Sequence, residues 1–285
     1  MFKKGGLVMK RAYSFDHFTN DQKKAEINRL TANVESHSKT LAELLLTNGL
    51  SHSKKVLDVG CGTGAMIDLF ASILKGTEFH GVDNSSHILK AATARLEQKY
   101  DNTQLTSAEA DRLPFSDHTF DFVFTRLVLM HNSNPETIIN EMIRVCKPGG
   151  TICAIEIDDG TQVFHPYGEE LNRLIQANIQ FAARHGTDRT MGRKLYSYFP
   201  NNTYTVEVKV IIQTSDYTSD FINSDELPIL LKFALGKDEG KRFVDANLLT
   251  EEVRHKLVTT YIPEFCNSPH RFESCSFMYA FAKKK

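Results

Sequence analysis

The sequence predicts an α/β protein built on a doubly wound, parallel sheet. Segments typical of strands and of helices alternate between residues 56 and 157. A glycine-rich turn follows the first strand, and the alternation stops after Gly160. Strands that alternate with helices form βαβ units, and these units build parallel sheets with helices on both faces.

The elements of the first half follow from the spacing of apolar residues. Near-helical spacing across Asp21–Leu50 predicts one or two amphipathic helices ahead of the sheet. Lys147-Pro148-Gly149-Gly150 predicts a turn between the last helix and the last strand of this half. The predicted strands are Val56–Val59, Glu78–Val82, Gln104–Thr106, Phe120–Phe124 and Thr151–Ile157, and the predicted helices are Ala65–Leu74, His87–Lys99 and Glu136–Cys146.

The second half is less regular, and we expect it to elaborate the same domain. Helical segments at Glu169–Ala183 and within Asp225–Tyr261 surround two late strands, Thr203–Gln213 and Arg271–Ala282. Helical insertions of this kind can lie over the carboxyl ends of the strands, where open α/β sheets bind ligands. We predict one domain over residues 1–285, with an N-terminal helical segment at 1–50, a core at 51–160, and cap insertions at 161–202 and 214–270. Candidate pocket walls, which core packing explains equally well, are Phe181, Phe199, Phe221, Leu227, Leu230, Leu231 and Phe233.

Composition excludes several classes of protein. The 285 residues carry 34 lysines and arginines against 35 aspartates and glutamates, a formal charge of −1, which argues against an extended nucleic-acid surface. The five cysteines are odd in number and widely spaced, so we expect free thiols, a reducing compartment and no metal site. The sequence contains no apolar run long enough to span a membrane, so we expect a cytoplasmic protein with a small-molecule partner. It carries no signal for an oligomeric state.

The segment from Asp58 to Gly64 is the most informative part of the chain. A buried strand runs into glycines at alternate positions, Gly60, Gly62 and Gly64, and then into a helix. Glycines permit positive φ angles and a close backbone approach, and a helix N-terminus offers free N–H donors. This loop can therefore cradle either a pyrophosphate or a carboxylate.

Acidic residues next to the loop indicate which ligand it holds. Asp83, at the end of the next strand, can accept hydrogen bonds from ribose hydroxyls. This pattern alone does not separate a dinucleotide from S-adenosyl-L-methionine. Asp58 favours the latter, because a carboxylate there would attract an ammonium group and repel a pyrophosphate. Glu109 follows the third strand and offers an acidic side chain to the adenine edge.

Taken together and in order, these motifs resemble the class I S-adenosyl-L-methionine-dependent methyltransferases. The chain is most similar to their small-molecule branch, which includes the ubiquinone/menaquinone-biosynthesis C-methyltransferases. The resemblance covers roughly residues 54–157. It rests on Asp58–Gly64, Asp83, Leu113-Pro114-Phe115 followed by Phe120-Asp121, and Lys147-Pro148-Gly149-Gly150. Where the family commonly has Gly-Asp-Ala, this chain has Ala108-Glu109-Ala110, so the acid is one methylene longer.

The resemblance implies a Rossmann-like sheet of seven strands with an antiparallel seventh strand, Arg271–Ala282, paired with Thr203–Gln213. It implies a site for S-adenosyl-L-methionine within the 51–160 core. The residues expected to bind this cofactor are Asp58 at the ammonium group, Gly60, Cys61, Gly62 and Gly64 along the methionine moiety, Asp83 at the ribose, Asn84, Glu109 and Ala110 around the adenine, and Thr125 and Arg126 near the amino-acid end and the methyl group.

Other residues follow from the resemblance less directly. In related methyltransferases an N-terminal segment closes over the cofactor, and Tyr13 is the candidate for that role here. The alternative is that Tyr13, Phe15 and Phe18 simply pack on the core. Cys61 is expected to fill space between two glycines, because no base that would activate its thiol is evident.

Two residues are candidates for catalysis. His131 lies just past the fourth strand, on the expected cofactor side, and the alternative is a loop histidine or helix cap. Asp158 ends the fifth strand with Glu156 and Asp159, and one of the three could bind a cationic acceptor or act as a base. Strand alternation puts Glu156 and Asp158 on one face and Asp159 on the other. The alternative is a solvated strand end with a turn at Asp159-Gly160.

The sequence therefore predicts a methyltransferase that acts on a small organic acceptor by in-line displacement. Because the sulfonium is already activated, the protein would mainly supply proximity, alignment and exclusion of water. A base is useful only if the acceptor must lose a proton. Two alternatives remain open at this point: a nicotinamide-dependent oxidoreductase, and a non-catalytic protein that binds S-adenosyl-L-methionine.

Overall fold

The computed structural model describes Phe15 and residues 18–200, 203–216 and 229–284. Tyr13, Phe221 and Leu227 lie outside these residues. The helices are α1 (Asn20–Glu35), α2 (Ser38–Thr47), α3 (Ala65–Ile73), α4 (Ser86–Leu96), α5 (Pro135–Val145), α6 (Gly168–Arg184), α7 (Ile229–Leu235), α8 (Lys241–Asp245), α9 (Glu251–Lys256) and α10 (Ile262–Asn267). The strands are β1 (Lys55–Val59), β2 (Glu78–Asp83), β3 (Thr103–Ser107), β4 (Phe120–Arg126), β5 (Cys146–His165), β6 (Tyr204–Asp216) and β7 (Phe272–Lys284).

Within the described residues these strands form one seven-stranded sheet in the order β3-β2-β1-β4-β5-β7-β6. Strand β1 pairs in parallel with β2 and β4, β2 with β3, and β4 with β5, whereas β7 is antiparallel. The Rossmann-like sheet, its antiparallel seventh strand and the pairing of β7 with β6 are thus confirmed. Four of the five residues of β1 are buried, as expected for a strand covered by helices on both faces.

Strand β5 differs from the prediction at both of its ends. It begins directly after α5, so Lys147–Gly150 does not form a separate turn. These four residues instead bulge out of the ladder, because Phe120 pairs with Cys146 and Phe122 already pairs with Thr151. The strand then continues to His165, so the turn considered at Asp159-Gly160 is absent from it.

The chain divides into two compact units, whose boundaries fall within β5, β6, β7 and the 3₁₀ segment Met191–Tyr198. Unit 1 comprises Met1–Glu156, Lys194–Lys209 and Tyr279–Lys285, and unit 2 comprises Ile157–Arg193 and Val210–Met278. The organisation as one domain with cap insertions stays a prediction. No helix among the described residues is long and apolar enough to cross a membrane.

Unit 2 has a hydrophobic core of its own. Leu231 is fully buried there, and Phe181 packs against the same cluster together with the partly buried Tyr167 and Tyr261. Leu231 and Phe181, two of the candidate pocket-wall residues, therefore belong to the core of unit 2. In unit 1, Phe199 is buried beside Tyr204, with their ring centroids 6.2 Å apart. Phe15 is also buried, 5.8 Å from the ring of Phe18.

Candidate functional site

The glycine-rich loop lies at the carboxyl ends of β1 and β2 and is fixed by backbone hydrogen bonds. The amides of Gly60 and Cys61 both donate to the carbonyl of Val82, at 2.7 and 2.9 Å. The amide of Gly62 donates to Oδ2 of Asp83 at 3.0 Å. The predicted loop and the predicted ribose-binding acid are therefore in direct contact.

Gly60 has a steric as well as a conformational role. Its φ of 77° is in the left-handed region, and a Cβ on this residue would lie 2.3 Å from Cγ2 of Val128. Only glycine lets the chain segment after β4 close down on the loop at this point. Gly81 has a similar steric role, because a Cβ there would lie 2.8 Å from Sγ of Cys61.

Cys61 fills space under the loop. Its thiol is buried, and burial together with the nearby carboxyls of Asp58 and Asp83 raises the thiol pKa well above its usual value. The sulfur is therefore a neutral thiol at physiological pH and a poor nucleophile. All five cysteines have free thiols. Among the residues that the structure describes, no group of His, Cys, Asp and Glu side chains is arranged to hold a metal ion.

The residues predicted for the nucleoside also come together. Oδ1 of Asp83 accepts a hydrogen bond from the Ser85 amide at 2.9 Å, which fixes the carboxylate at the end of β2. Nδ2 of Asn84 donates to Oε2 of Glu109 at 3.2 Å, and both side chains are exposed. Ala110 follows Glu109 and is half-buried. Asp83, Asn84 and Glu109 thus line one continuous surface beside the glycine loop.

Asp58 is a buried carboxyl group that the protein satisfies only in part. It is 2% exposed, and its Oδ2 has no hydrogen-bond partner among the described residues. Burial, and then the neighbouring charge of Asp83, raises the Asp58 pKa well above its usual value, while Arg126 opposes the shift. A buried polar atom without a partner is costly, and a cationic ligand group would remove that cost.

Thr125 and Arg126, at the end of β4, are both held inside the protein. Thr125 is fully buried, and its hydroxyl donates to the carbonyl of Val59 at 2.8 Å. The structure thus gives Thr125 a role within the sheet instead of the predicted ligand contact. Nη2 of Arg126 donates to Oδ1 of Asn33 on α1 at 2.5 Å, and burial lowers the arginine pKa to about 10.

Helix α1 also reaches the glycine loop. The hydroxyls of Thr31 and Thr63 lie 3.4 Å apart, and Nη2 of Arg95 donates to the Thr31 hydroxyl at 2.8 Å. Together with Asn33, Thr31 connects this N-terminal helix to both β4 and the loop. The sequence predicted the helix but gave no signal for these two contacts.

His131 closes a short 3₁₀ turn, Leu129–His131, that follows β4. The imidazole is half-buried, and the backbone amide of His131 donates to the carbonyl of Val128. Because Val128 covers Gly60, this turn adjoins the loop, as expected for a residue on the cofactor side.

Glu156 is a buried carboxyl group that is not among the predicted catalytic residues. It is fully buried, its Oε1 accepts a hydrogen bond from the Leu129 amide at 2.7 Å, and Oε2 has no partner among the described residues. Burial raises its pKa to about 8. The strand pattern predicts that Glu156 and Asp158 lie on the same face, but it cannot show which of the two carboxylates is paired with an arginine.

Asp158 is contacted by an arginine of its own unit, which contradicts its predicted role as a base. It is 1% exposed, and its two oxygens accept hydrogen bonds from Nε and Nη2 of Arg193 at 2.5 and 2.6 Å. Asp159 is paired in the same way with Nε of Arg189 at 2.5 Å. Both oxygens of Asp158 are thus engaged by Arg193 and do not face a substrate. The solvated strand end considered as the alternative is also wrong, since both carboxylates are buried.

Comparison with known proteins agrees with this geometry. Residues 50–203 match the family described as a methyltransferase domain. The chain is 33% identical to an uncharacterized methyltransferase of Schizosaccharomyces pombe over 184 residues, 61% of this chain and 66% of that protein. It is 36% identical over 112 residues to a ubiquinone/menaquinone biosynthesis C-methyltransferase of Ectopseudomonas mendocina, 38% of this chain and 44% of that one. The chain thus covers less than two thirds of the length of either relative.

Solved structures show the same fold at low sequence identity. The YcgJ protein of Bacillus subtilis aligns with a TM-score of 0.56 and 20% identity, covering 88% of this chain and 98% of that one. A phosphoethanolamine N-methyltransferase of Haemonchus contortus, solved with phosphomonomethylethanolamine and S-adenosylhomocysteine, aligns with a TM-score of 0.52 and 17% identity. That alignment covers 86% of this chain and 52% of that one.

Proposed function

Since this chain belongs to the methyltransferase-domain family, we propose that it transfers a methyl group from S-adenosyl-L-methionine to a small organic acceptor. The observation that carries the proposal is Asp58, a buried carboxyl beside the glycine loop with one oxygen unpartnered among the described residues. An ammonium group next to Asp58 would stabilise its ionised form and satisfy that oxygen, whereas a pyrophosphate would oppose ionisation and offer no donor. This favours S-adenosyl-L-methionine over a nicotinamide dinucleotide.

The remaining residues fit the same ligand. The loop from Gly60 to Gly64 offers backbone to the methionine moiety, including glycines at which no side chain intrudes. The amides of Gly62 and Ser85 donate to the two oxygens of Asp83 and so orient its carboxylate beside the loop, where a ribose hydroxyl would lie. Asn84 and Glu109 present polar atoms beside it for the adenine.

The chain's own residues would act on the reaction mainly by placement. S-adenosyl-L-methionine, when bound, supplies a sulfonium methyl group that is already activated for displacement. The loop would hold the methionine moiety and Asp83 the ribose, so that these residues would present the methyl group to an acceptor in a fixed position. His131 is the proposed proton acceptor where the acceptor must lose a proton. Asp158 takes no part in this scheme, because Arg193 holds its carboxylate.

Two findings support a small acceptor. Two of the relatives are named a ubiquinone/menaquinone biosynthesis C-methyltransferase and a demethylmenaquinone methyltransferase. The formal charge of −1 also gives the chain no general attraction for nucleic acid. We include a cytoplasmic location in the proposal, because the widely spaced free cysteines suit a reducing compartment.

Calorimetric titration of the full chain with S-adenosylhomocysteine and with NAD tests the cofactor. We expect binding of S-adenosylhomocysteine, a much weaker affinity in Asp83→Asn, and no NAD binding. Asp111→Asn is the matched control, since Asp111 is an exposed aspartate close to the same strand ends. NAD binding without S-adenosylhomocysteine binding would make the protein a nicotinamide-dependent oxidoreductase instead.

Transfer of a labelled methyl group from S-adenosyl-L-methionine tests the activity. The acceptor panel should contain phenols, quinols, amines, thiols and carboxylic acids of low molecular mass. We expect turnover with at least one class and none with protein or RNA. Cofactor binding without transfer to any acceptor would indicate a non-catalytic binding protein.

A further inference from the structure

Glu156 is the buried carboxyl group of the described site that contacts the turn following β4. Its Oε1 accepts a hydrogen bond from the Leu129 amide at 2.7 Å. The amides of Val128 and Met130 lie close enough to stabilise the ionised carboxylate as well. One side chain of β5 therefore faces three consecutive backbone donors of the turn that follows β4.

That turn needs support because its first residue is in an unfavourable conformation. Leu127 has a φ of 57°, a left-handed conformation that costs a residue with a branched side chain roughly 1–2 kcal/mol. The amide of Leu127 donates to the carbonyl of Ile155, and Nδ2 of Asn132 donates to the carbonyl of Val128. Without Glu156, the amide of Leu129 would be buried and unpaired, at the middle of the turn.

The same turn carries two features of the proposed site. Val128 lies against Gly60, where a Cβ would come within 2.3 Å of its side chain. His131 ends the turn three residues later. A shift of the turn would therefore move the residue that covers the glycine loop and the residue proposed to accept a proton.

We propose that Glu156 is a positioning residue that holds the turn from Leu127 to His131 over the glycine loop. The expected effect of Glu156 on cofactor binding rests on the proposed function. The fixation of the turn by Glu156 stands independently of which ligand the loop holds.

The charged groups around Glu156 determine how this contact depends on pH. Arg126 on β4 is the charge that faces Glu156, and Tyr279, Asp58 and Arg29 act in turn on Arg126. Burial dominates over Arg126 and raises the Glu156 pKa to about 8 from its usual value of 4.5. Between pH 4.5 and about 8, Glu156 therefore carries a proton in the folded state but not in the unfolded state. The associated stability is fully present below pH 4.5 and is lost as the pH rises through about 8.

Three variants separate the effect of the hydrogen bond from the Leu129 amide from the effect of the Glu156 charge. Glu156→Gln keeps an acceptor oxygen for the Leu129 amide and removes the ionisation, and Glu156→Leu keeps the volume and removes the acceptor. Glu141→Gln is the matched control, because Glu141 also accepts a backbone amide, that of Leu113 at 2.8 Å, but is paired with Arg144.

The readouts are the imidazole NMR signal of His131, the pH dependence of urea unfolding and the Kd for S-adenosylhomocysteine. In Glu156→Gln we expect an unchanged His131 signal, a Kd within about threefold of the native protein, and a flatter stability profile between pH 5 and 8. In Glu156→Leu we expect a displaced His131 signal and a Kd weakened by at least about fivefold, since a buried amide loses its partner. Glu141→Gln should leave the His131 signal and the Kd unchanged.

The proposal is overturned if Glu156→Leu leaves the His131 signal and the Kd unchanged, or if Glu156→Gln displaces the signal as much as Glu156→Leu does. Hydrogen exchange in the native protein keeps the test decisive if Glu156→Leu does not fold. We expect the Leu129 amide to be strongly protected, and exchange at the rate of an exposed loop would contradict the proposal. If the native protein binds no S-adenosylhomocysteine, the proposed function fails, while the His131 signal and the exchange rate still report on Glu156.

Discussion

Two pairs of buried carboxyl groups, Asp58 and Glu156 in unit 1 and Asp158 and Asp159 in unit 2, are satisfied differently. Asp58 and Glu156 of unit 1 are 2% and 0% exposed, and each keeps an oxygen with no partner among the described residues. Asp158 and Asp159 of unit 2 are 1% and 3% exposed, and each is held by an arginine. Burial alone therefore does not distinguish a binding site from a structural contact here. What distinguishes these two pairs is whether an arginine holds the carboxylate or one of its oxygens keeps unused hydrogen-bonding capacity.

The two pairs also differ in what they do to stability. Burial raises the pKa of both Asp58 and Glu156, each of which keeps one oxygen without a partner among the described residues. Burial also raises the Asp159 pKa, but Arg189 opposes that shift, and removing one member of such an ion pair leaves the other unpaired. We therefore expect substitutions in unit 1 to change ligand binding and substitutions in unit 2 to change stability.

Asp58→Asn should have the largest effect on binding. A charge-assisted hydrogen bond to a ligand ammonium contributes about 1.5–3 kcal/mol, so the Kd for S-adenosylhomocysteine should rise about 10- to 100-fold. Isothermal titration at pH 7 measures this change.

The same variant should not lose stability. Because the folded pKa of Asp58 is raised, the folded state favours a proton that the unfolded state gives up, and native stability falls as the pH rises above the ordinary aspartate range. Asparagine removes this dependence, so the melting temperature at pH 7 should be equal to or higher than that of the native protein. A lower melting temperature with unchanged affinity would place Asp58 in the structural class with Asp158.

In contrast to Asp58→Asn, Asp158→Asn should lower stability and leave ligand binding nearly unchanged. Because Arg193 is half exposed, solvent screens the ion pair, and we expect a loss of about 1–2 kcal/mol in the free energy of unfolding by urea. The double variant Asp158→Asn/Arg193→Gln should lose less than the two single variants together, since the second change removes the unpaired cation. The Kd for S-adenosylhomocysteine should change by less than about twofold. A tenfold loss of methyl transfer at native stability would instead support Asp158 as a catalytic residue.

The difference between the two pairs also explains how far the sequence could predict the molecule. Asp58, Gly60 and Asp83 were predicted because a strand, a glycine loop and a helix follow one another without interruption, so local spacing determines their placement. The strand pattern puts Glu156 and Asp158 on the same face and therefore cannot separate them. The difference depends on Arg193, which lies 35 residues beyond Asp158 in the 3₁₀ segment Met191–Tyr198, so local spacing cannot reveal the pairing.

Glu109 offers the finest test of the comparison, because it is neither buried nor unpartnered. Its carboxylate is exposed and accepts a hydrogen bond from Asn84 at 3.2 Å, so water and Asn84 already satisfy it. Glu109→Gln keeps an acceptor oxygen, and we expect the Kd for S-adenosylhomocysteine to rise less than about threefold, with no change in melting temperature. Glu109→Asp restores the family's usual acid and serves as the matched variant. If Glu109→Gln weakens binding as much as Asp58→Asn does, unused hydrogen-bonding capacity would not be what marks this site, and exposure of a charge beside the ligand would matter as much.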